Sequence, residues 1–379
     1  MRKLFITLIA AMAGTGAFAQ AADVQAVAAE AAQAVSAAPE AAAKVEKPKN
    51  WTTNLKTQIN VGQTGLFNWA AGGDNTVSMA AFIDGNANWK QGDMFWNNRL
   101  QLDYGFLYAS SKPLLQKSTD RIYLESKWGY KAPSTKHLYF SANYDFKSQF
   151  STGYDYKTPS KLTDDNGNEL VGSDLRQAWL DARDLKSGFL SPAYTNIALG
   201  IDYVPTKWLS VNFAPLTGGF VIVNERAVRP DYSMLTKKST TQADLDAAKL
   251  KLDEAKATGN AKDILAAERL LGGLYRASRF EFGAQLKLDA KVNVNDNFEY
   301  STQVVLFANY LDIKHCPRIN WDNRIDWKLA KYFSLTLTTN LIYDDTIMIA
   351  DKDGNNPKAR VQFKESLAFG FTYTIANKK

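Results

Sequence analysis

The 379-residue sequence predicts an all-β protein, an antiparallel up-and-down transmembrane β-barrel of about 12 strands with a helical hairpin in its longest external loop. Three observations predict it. Apolar and polar residues alternate strictly in one segment after another, the connections between segments are short at one end and long at the other, and six of the nine tryptophans gather at the short end. What the composition excludes is consistent with this. The mean hydropathy is −0.31 and no run of eighteen apolar residues occurs, so a helical membrane span is ruled out. A single cysteine, Cys316, leaves no disulfide framework and no cysteine-rich metal site. Two histidines, His137 and His315, are too few for a multi-histidine metal enzyme, and nothing else in the sequence calls for a cofactor.

The first element is a targeting segment. Met1-Arg2-Lys3 is a short basic start, Leu4 to Ala13 is apolar, and Ala17-Phe18-Ala19 places small residues where a signal peptidase reads. Residues 1–19 are therefore read as a signal peptide cleaved after Ala19, and the protein as exported to the outer membrane. Losing Arg2 and Lys3 lowers the formal net charge of +6 by two, and the remainder is dispersed among 39 acidic residues. Nucleic acid is excluded as a partner on that balance. Residues 20–50 are mostly alanine with scattered Glu, Gln and Lys and no aromatic residue, which reads as an Ala-rich periplasmic linker, in coil or weak helix. The barrel domain then occupies 51–379.

From Trp51 onward a period of two dominates. Leu138, Phe140, Ala142, Tyr144 and Phe146 interleave with His137, Tyr139, Ser141, Asn143, Asp145 and Lys147, so one face is greasy and the other wet. Twelve such segments fall at about 53–63, 75–89, 95–108, 119–131, 137–150, 194–204, 208–215, 278–291, 298–313, 319–329, 333–346 and 359–375. Alternation alone does not say which face meets which solvent, because a soluble sandwich buries its greasy face and a membrane barrel turns it to lipid.

Connection length and tryptophan decide between them. The links at 90–94, 132–136, 205–207, 292–297 and 330–332 are tight, whereas those at 64–74, 151–193, 216–277 and 347–358 are long. After an even number of strands both chain ends lie on the tight-turn side, which is the sidedness of outer-membrane barrels. Trp51, Trp89, Trp96, Trp128, Trp208 and Trp327 gather on that side, and all but Trp208 share the parity of the greasy face. They read as a periplasmic-side aromatic girdle, since an amphipathic ring is most stable at headgroup level. Segments of 11 to 15 residues also suit a tilted crossing of about 30 Å of hydrocarbon. Glu365 and Asn323 depart from the rule by falling on the greasy parity, and both are expected near the external rim.

The helical hairpin lies in the link 216–277. Leu245, Ala248, Leu252 and Ala255, then Ile264, Ala267, Leu270, Leu271 and Leu274, follow three-four spacing, with Gly259-Asn260 dividing them. Leu175 to Leu190, containing Trp179, reads as a shorter helix beside it. The hairpin is either a lid or docking surface for a protein partner, or a self-packed loop.

Candidate functional residues follow from the inward face. Arg99, Asp103, Arg121, Glu125, Lys127, His137, Asp145, Lys147, Glu281, Lys287, Asp322, Arg324 and Asp326 are expected to face the lumen. Their signs are nearly balanced. Such a lumen either passes a small polar solute or is filled by its own ion pairs, and balanced charges at close quarters favour filling. The remaining partner is outer-membrane lipid. In the first long link, Asn68, Trp69, Gly72 and Gly73 form either an inward constriction or a tight turn. Asp164 to Glu169 and Asp351 to Asn356 resemble calcium loops in composition, but turns account better for both.

Four short motifs occur in order: Asn68-Trp69-Ala70-Ala71-Gly72-Gly73, Pro192-Ala193-Tyr194, Ala214-Pro215-Leu216-Thr217-Gly218 and Tyr343-Asp344-Asp345. Together they resemble a Bacteroidota outer-membrane β-barrel family known only as a domain of unknown function. The resemblance spans about 51–375 and implies an outer-membrane barrel, with no substrate or catalytic residue to carry over. The leading expectation is a non-enzymatic barrel, either a narrow channel or a structural or interaction protein. Two alternatives are weighed beside it. One is a barrel-embedded hydrolase using His137 as base, for which no Gly-x-Ser-x-Gly or His-Glu-x-x-His motif exists. The other is a secreted soluble β-sandwich binding protein.

Overall fold

In the computed structural model, residues 50–64, 76–109, 112–164, 166–315, 317–349 and 358–377 are described. The expected signal peptide, most of the linker, the Asn68–Gly73 motif and the Asp351–Asn356 segment lie outside them. Twelve strands close into one antiparallel barrel: β1 (Trp51–Thr64), β2 (Thr76–Gln91), β3 (Met94–Ala109), β4 (Lys112–Lys131), β5 (Leu138–Ser148), β8 (Ala193–Thr206), β9 (Leu209–Ile222), β10 (Ser278–Asn295), β11 (Phe298–Asn309), β12 (Arg318–Lys328), β13 (Phe333–Tyr343) and β16 (Gln362–Asn377). Each pairs with its predecessor in the ring, and β1 meets β16, with Ile59 opposite Phe371. Closure leaves no unpaired sheet edge, the condition a strand must meet to stand in hydrocarbon. The remaining short strands β6 (Gly153–Tyr156), β7 (Arg183–Ser187), β14 (Met348–Ile349) and β15 (Lys358–Ala359) form two ribbons in the long connections.

The two walls of the barrel are inverted relative to a soluble protein. Phe140, Ile197, Leu199, Phe213, Phe280, Leu367 and Phe369 are exposed on the outer wall. Gln58, Asn143, Asp202, Gln285 and Lys287, one residue out of phase with such rows, are buried inside. This is the distribution of an outer-membrane type of barrel. A two-sheet sandwich would have stacked those apolar rows against each other, so that alternative is not favoured.

All twelve segments expected from alternation are barrel strands, and the boundaries differ where local chemistry is unusual. The segment expected to end near 215 runs on to Ile222. Pro215 does not stop it because it lies in a bulge: Gly283 faces Thr217 while Gln285 faces Ala214, so Pro215 falls where the register shifts and no ladder donor is required. The segment expected to start at 119 starts at Lys112, through a similar shift between Gly105 and Phe106.

Among the described residues, three α-helices stand in the long connections: α1 (Gly172–Asp181), α2 (Gln242–Thr258) and α3 (Ala261–Gly272). The α2–α3 hairpin is the expected one. Thr241 and Asp244 form a capping box at the start of α2, Gly259 ends it at φ 70°, and the Asn260 side chain accepts from Lys262 and Asp263 to start α3. The shorter helix differs from expectation. It ends at Asp181, residues 183–187 turn into β7, and its buried Trp179 sits beside Lys112 of β4, whose ammonium lies 5.6 Å from the ring centre. The apolar spacing that suggested continuation, Leu185 included, serves instead to pack a strand against the cluster of Val221, Val223, Val228 and Met234.

Candidate functional site

The lumen is the candidate site, and its chemistry follows from parity. Residues one out of phase with the outer rows must point inward, where they lose most of their water and need partners. At mid-height the Lys287 ammonium donates to Glu125 at 2.5 Å, and the Tyr123 hydroxyl donates to the second carboxylate oxygen at 3.0 Å. Lys287 is on β10 and Glu125 on β4, with β9, β8 and β5 between them around the ring, so this pair crosses the lumen. Lys287 is 3% exposed. A water-filled channel at this level would leave it far wetter.

A second bridge joins the opposite side. Asp326 on β12 accepts from Lys56 on β1 at 2.6 Å, from Arg324 at 2.8 and 2.9 Å, and from the Thr336 hydroxyl at 2.7 Å. Arg324 also donates to the Gln58 side-chain amide oxygen Oε1 at 2.6 Å, and its guanidinium lies 4.2 Å from the Phe82 ring centre on β2. The other charges, Lys147 excepted, pair locally. Arg99 forks onto Asp84, Arg121 donates to Asp103 at 2.9 Å, Lys127 to Asp202 at 2.7 Å, and Asn196 to Asp145 at 3.0 Å. Glu281 holds Arg318 and Arg279, Asp322 accepts from Asn320 and Asn340, and Lys147 feels the charges of Asp322, Arg121 and Asp145 without an ion pair among the described residues. Ionised pairs of this kind are the strong hydrogen bonds, and removing one partner strands a buried charge.

The mouth at the long-loop end is covered by a segment that the alternation did not single out. Residues 226–234 fold back over lumen-facing groups: Val228 and Met234 are buried against Val221 and Tyr194, and Arg279 donates to the Ser233 carbonyl at 2.7 Å. The Ser233 hydroxyl reaches the Thr346 carbonyl at 2.7 Å and the Tyr232 hydroxyl reaches the Lys186 carbonyl at 3.0 Å, tying three long connections together. Arg229 supports the fold from beneath by donating to the carbonyls of Val223, Asn224 and Tyr275. Outside the barrel wall, burial lowers the Arg229 pKa and raises that of Asp231.

Of the residues expected to face the lumen, Glu281, Lys287 and Asp326 are buried, and His137 is a correction. β5 starts at Leu138, so His137 belongs to the preceding turn and is exposed, with Nδ1 3.1 Å from the Val204 carbonyl and its ring edge-on to Tyr203. The His137 carbonyl accepts the last ladder bond, from the Val204 amide at 2.8 Å, so His137 stands where the strand gives way to the turn. The base considered for a lumenal hydrolase therefore stands exposed at a turn. Asn323 is a second correction. It lies halfway along β12, four positions from Trp327, and its polar atoms are satisfied by the Tyr300 hydroxyl at 2.8 Å and Thr339 at 3.2 Å. The Asp164 carboxylate closes a turn by accepting from Asn166 and Asn168, which lowers its pKa.

Six of the tryptophans lie at the short-turn end. Trp51 faces Trp89, Trp89 faces Trp96 and Trp96 faces Trp128, a row across β1 to β4. Trp327 pairs with Phe298, and Trp208 sits in the turn between β8 and β9. Lys56, Gln58, Asp84, Asp202 and Arg318 complete the ion-pair network but were not singled out from sequence. The same parity argument identifies them, for instance Asp84 between Ile83 and Gly85.

Several solved structures are similar over most of this chain. They include an outer membrane channel from Pseudomonas putida F1 (9% identity, 88% of this chain, 98% of that chain, TM-score 0.31). The translocator domain of the autotransporter NalP from Neisseria meningitidis is another (12%, 94%, 99%, 0.29). A third is an active-site variant of outer membrane phospholipase A from Escherichia coli (8%, 87%, 93%, 0.30). No curated protein matches the sequence. Residues 61–154, from the end of β1 into β6, match the model of a family described as a protein of unknown function (DUF3078).

Proposed function

We propose that this chain is a non-enzymatic outer-membrane protein, exported by a signal peptide at 1–19 and tethered through the Ala-rich 20–50 segment. Its lumen is a structural core and its working surface is the loop cap outside the cell. One observation carries the reading: the lumen is spanned at mid-height by the Lys287–Glu125 pair, with Lys287 3% exposed. A solute path needs a continuous hydrated bore. Here the bore is filled by paired side chains at mid-height and covered again by 226–234 at the mouth. The ends follow the same polarity, with the Trp51–Trp128 row at the periplasmic headgroups and the helices outward.

Planar-bilayer recording of the purified full-length protein tests the reading. The expected result is no current steps from folded protein, and none after deletion of 226–234 alone, because the mid-height bridge remains. Regular steps from the wild type would overturn it in favour of a narrow small-solute channel. Steps appearing only on that deletion would make the segment a gate and the mid-height bridge permeable.

A further inference from the structure

Between the two longest connections lies a cleft of about 420 Å³, within the ordinary range for a site that takes one small ligand. One wall is the turn that follows β7 and the other is the segment Asn224–Arg226 with Arg269 of α3. Both walls are built rather than draped. In the turn, Gly188 and Ser191 exchange backbone hydrogen bonds at 2.9 Å in both directions, and Leu190 is held at φ 54°, a conformation that a bulky side chain adopts only under constraint. The result is that Phe189 stands 58% exposed at the edge of the cleft. The turn is then fastened to the opposite wall: Asn224 donates its amide to the Leu190 carbonyl at 3.0 Å, and Glu225 donates its amide to the Ser191 hydroxyl at 2.7 Å. On the far side, Gly272 lets α3 close onto the Arg226 carbonyl, since a Cβ there would overlap it. These contacts fix the backbone of Arg226 while its side chain makes no hydrogen bond or ion pair with the described residues.

The charge in the cleft is unbalanced. Arg269 forks onto Glu225 at 3.0 and 3.1 Å, so that pair is self-neutralising. Arg226 has no such partner, and the neighbouring Arg229 spends its donors on carbonyl oxygens, which carry no full charge. A net positive cleft with one free guanidinium selects an anion, and a guanidinium fork matches a carboxylate. The exposed face of Phe189 selects a flat apolar surface beside that anion. Asn224 and Ser187 line the same space with amide and hydroxyl groups suited to hydroxyl-bearing ligands.

We infer that this cleft binds an acidic sugar, with the ring's C–H face on Phe189, the carboxylate on Arg226 and the hydroxyls on Asn224, Ser187 and Glu225. The site is independent of whether the lumen conducts.

Saturation-transfer NMR and calorimetry on the full-length protein in detergent test it, with glucuronate as probe, glucose as its neutral counterpart and benzoate as an anion with a ring but no hydroxyls. Glucuronate is expected to bind at least tenfold more tightly than either. Arg226→Gln should lower glucuronate affinity about tenfold, to the level of glucose, and Phe189→Ala should weaken both sugars. Both side chains are exposed, so an unchanged melting temperature separates lost binding from lost folding. Equal binding of glucose and glucuronate, benzoate as tight as glucuronate, no binding of glucuronate at millimolar concentration, or an Arg226→Gln variant that keeps its acid preference would each overturn the proposal.

Discussion

Leu286 and Lys287 are neighbours on β10 and occupy opposite solvents. Leu286 is 39% exposed on the outer wall, facing Leu306 of the next strand, while Lys287 is 3% exposed and bonded across the lumen to Glu125. The contrast shows how unequal the two walls are in what they tolerate. The outer wall asks only for apolar area, and many side chains supply it. The inner wall asks for specific partners, because each buried charge is costly unless its counterpart arrives at hydrogen-bond distance.

The largest effect is expected inside. Lys287→Met should destabilise the folded barrel by about 3 to 5 kcal/mol, because it leaves Glu125 buried without its partner. The double variant Lys287→Met with Glu125→Gln should recover most of that loss, and urea titration of the two in detergent measures it. A single variant as stable as the wild type would mean that water reaches Glu125 and the lumen is open. On the outer wall, Leu286→Arg at mid-strand should cost about 2 to 4 kcal/mol in a bilayer, from the desolvation of one charge. In detergent, whose interior is less constraining, the loss should shrink, whereas the Lys287→Met loss should not.

Asn323 tests the comparison at its weakest point, a polar group on the apolar wall. Its amide is shared between Tyr300 and Thr339, so Asn323→Leu exchanges two hydrogen bonds for apolar area. A net change within about 1 kcal/mol is expected from thermal melts, since the two contributions are of similar size. A much larger loss would show that Asn323 orders the strands around it.

The smallest effect lies in the loops. Hydrogen bonds from Arg269 hold the Glu225 carboxyl below its ordinary value of 4.5. A depressed folded-state pKa gives stability that is present above the unfolded value and lost as pH falls through the folded one. The docking of α3 should therefore be unchanged from pH 7 to 5 and weaken only below about 4.5. Both side chains are partly exposed, so the loss should stay under about 1 kcal/mol. Hydrogen exchange of the α3 amides against pH reports it, and loosening already at pH 6 would assign the docking to another group.

Much of the fold was legible because its signal is local. Phe140 and Ser141 differ in solvent by a half-turn of the strand, and that period of two survives whatever the chain does elsewhere. The helical hairpin was equally plain, since Gly259-Asn260 supplies a stop and a start within two residues. The candidate site was half legible. Parity located Glu125, Lys127 and Lys287 on the inner wall, but it failed at His137, where the ladder has ended, and it said nothing of residues 226–234, whose inward course depends on Tyr194, Arg279 and Thr346 from three other elements.

The sequence by itself determined the inside and outside of the alternating segments and the end at which the turns are tight, because both are set by the transfer free energy of single residues and by short connections. Which charge meets which was decided only by closure of the ring. Glu125 and Lys287 are 162 positions apart and not on adjacent strands, and they meet because the stagger of the closed barrel brings both to one height across a narrow lumen.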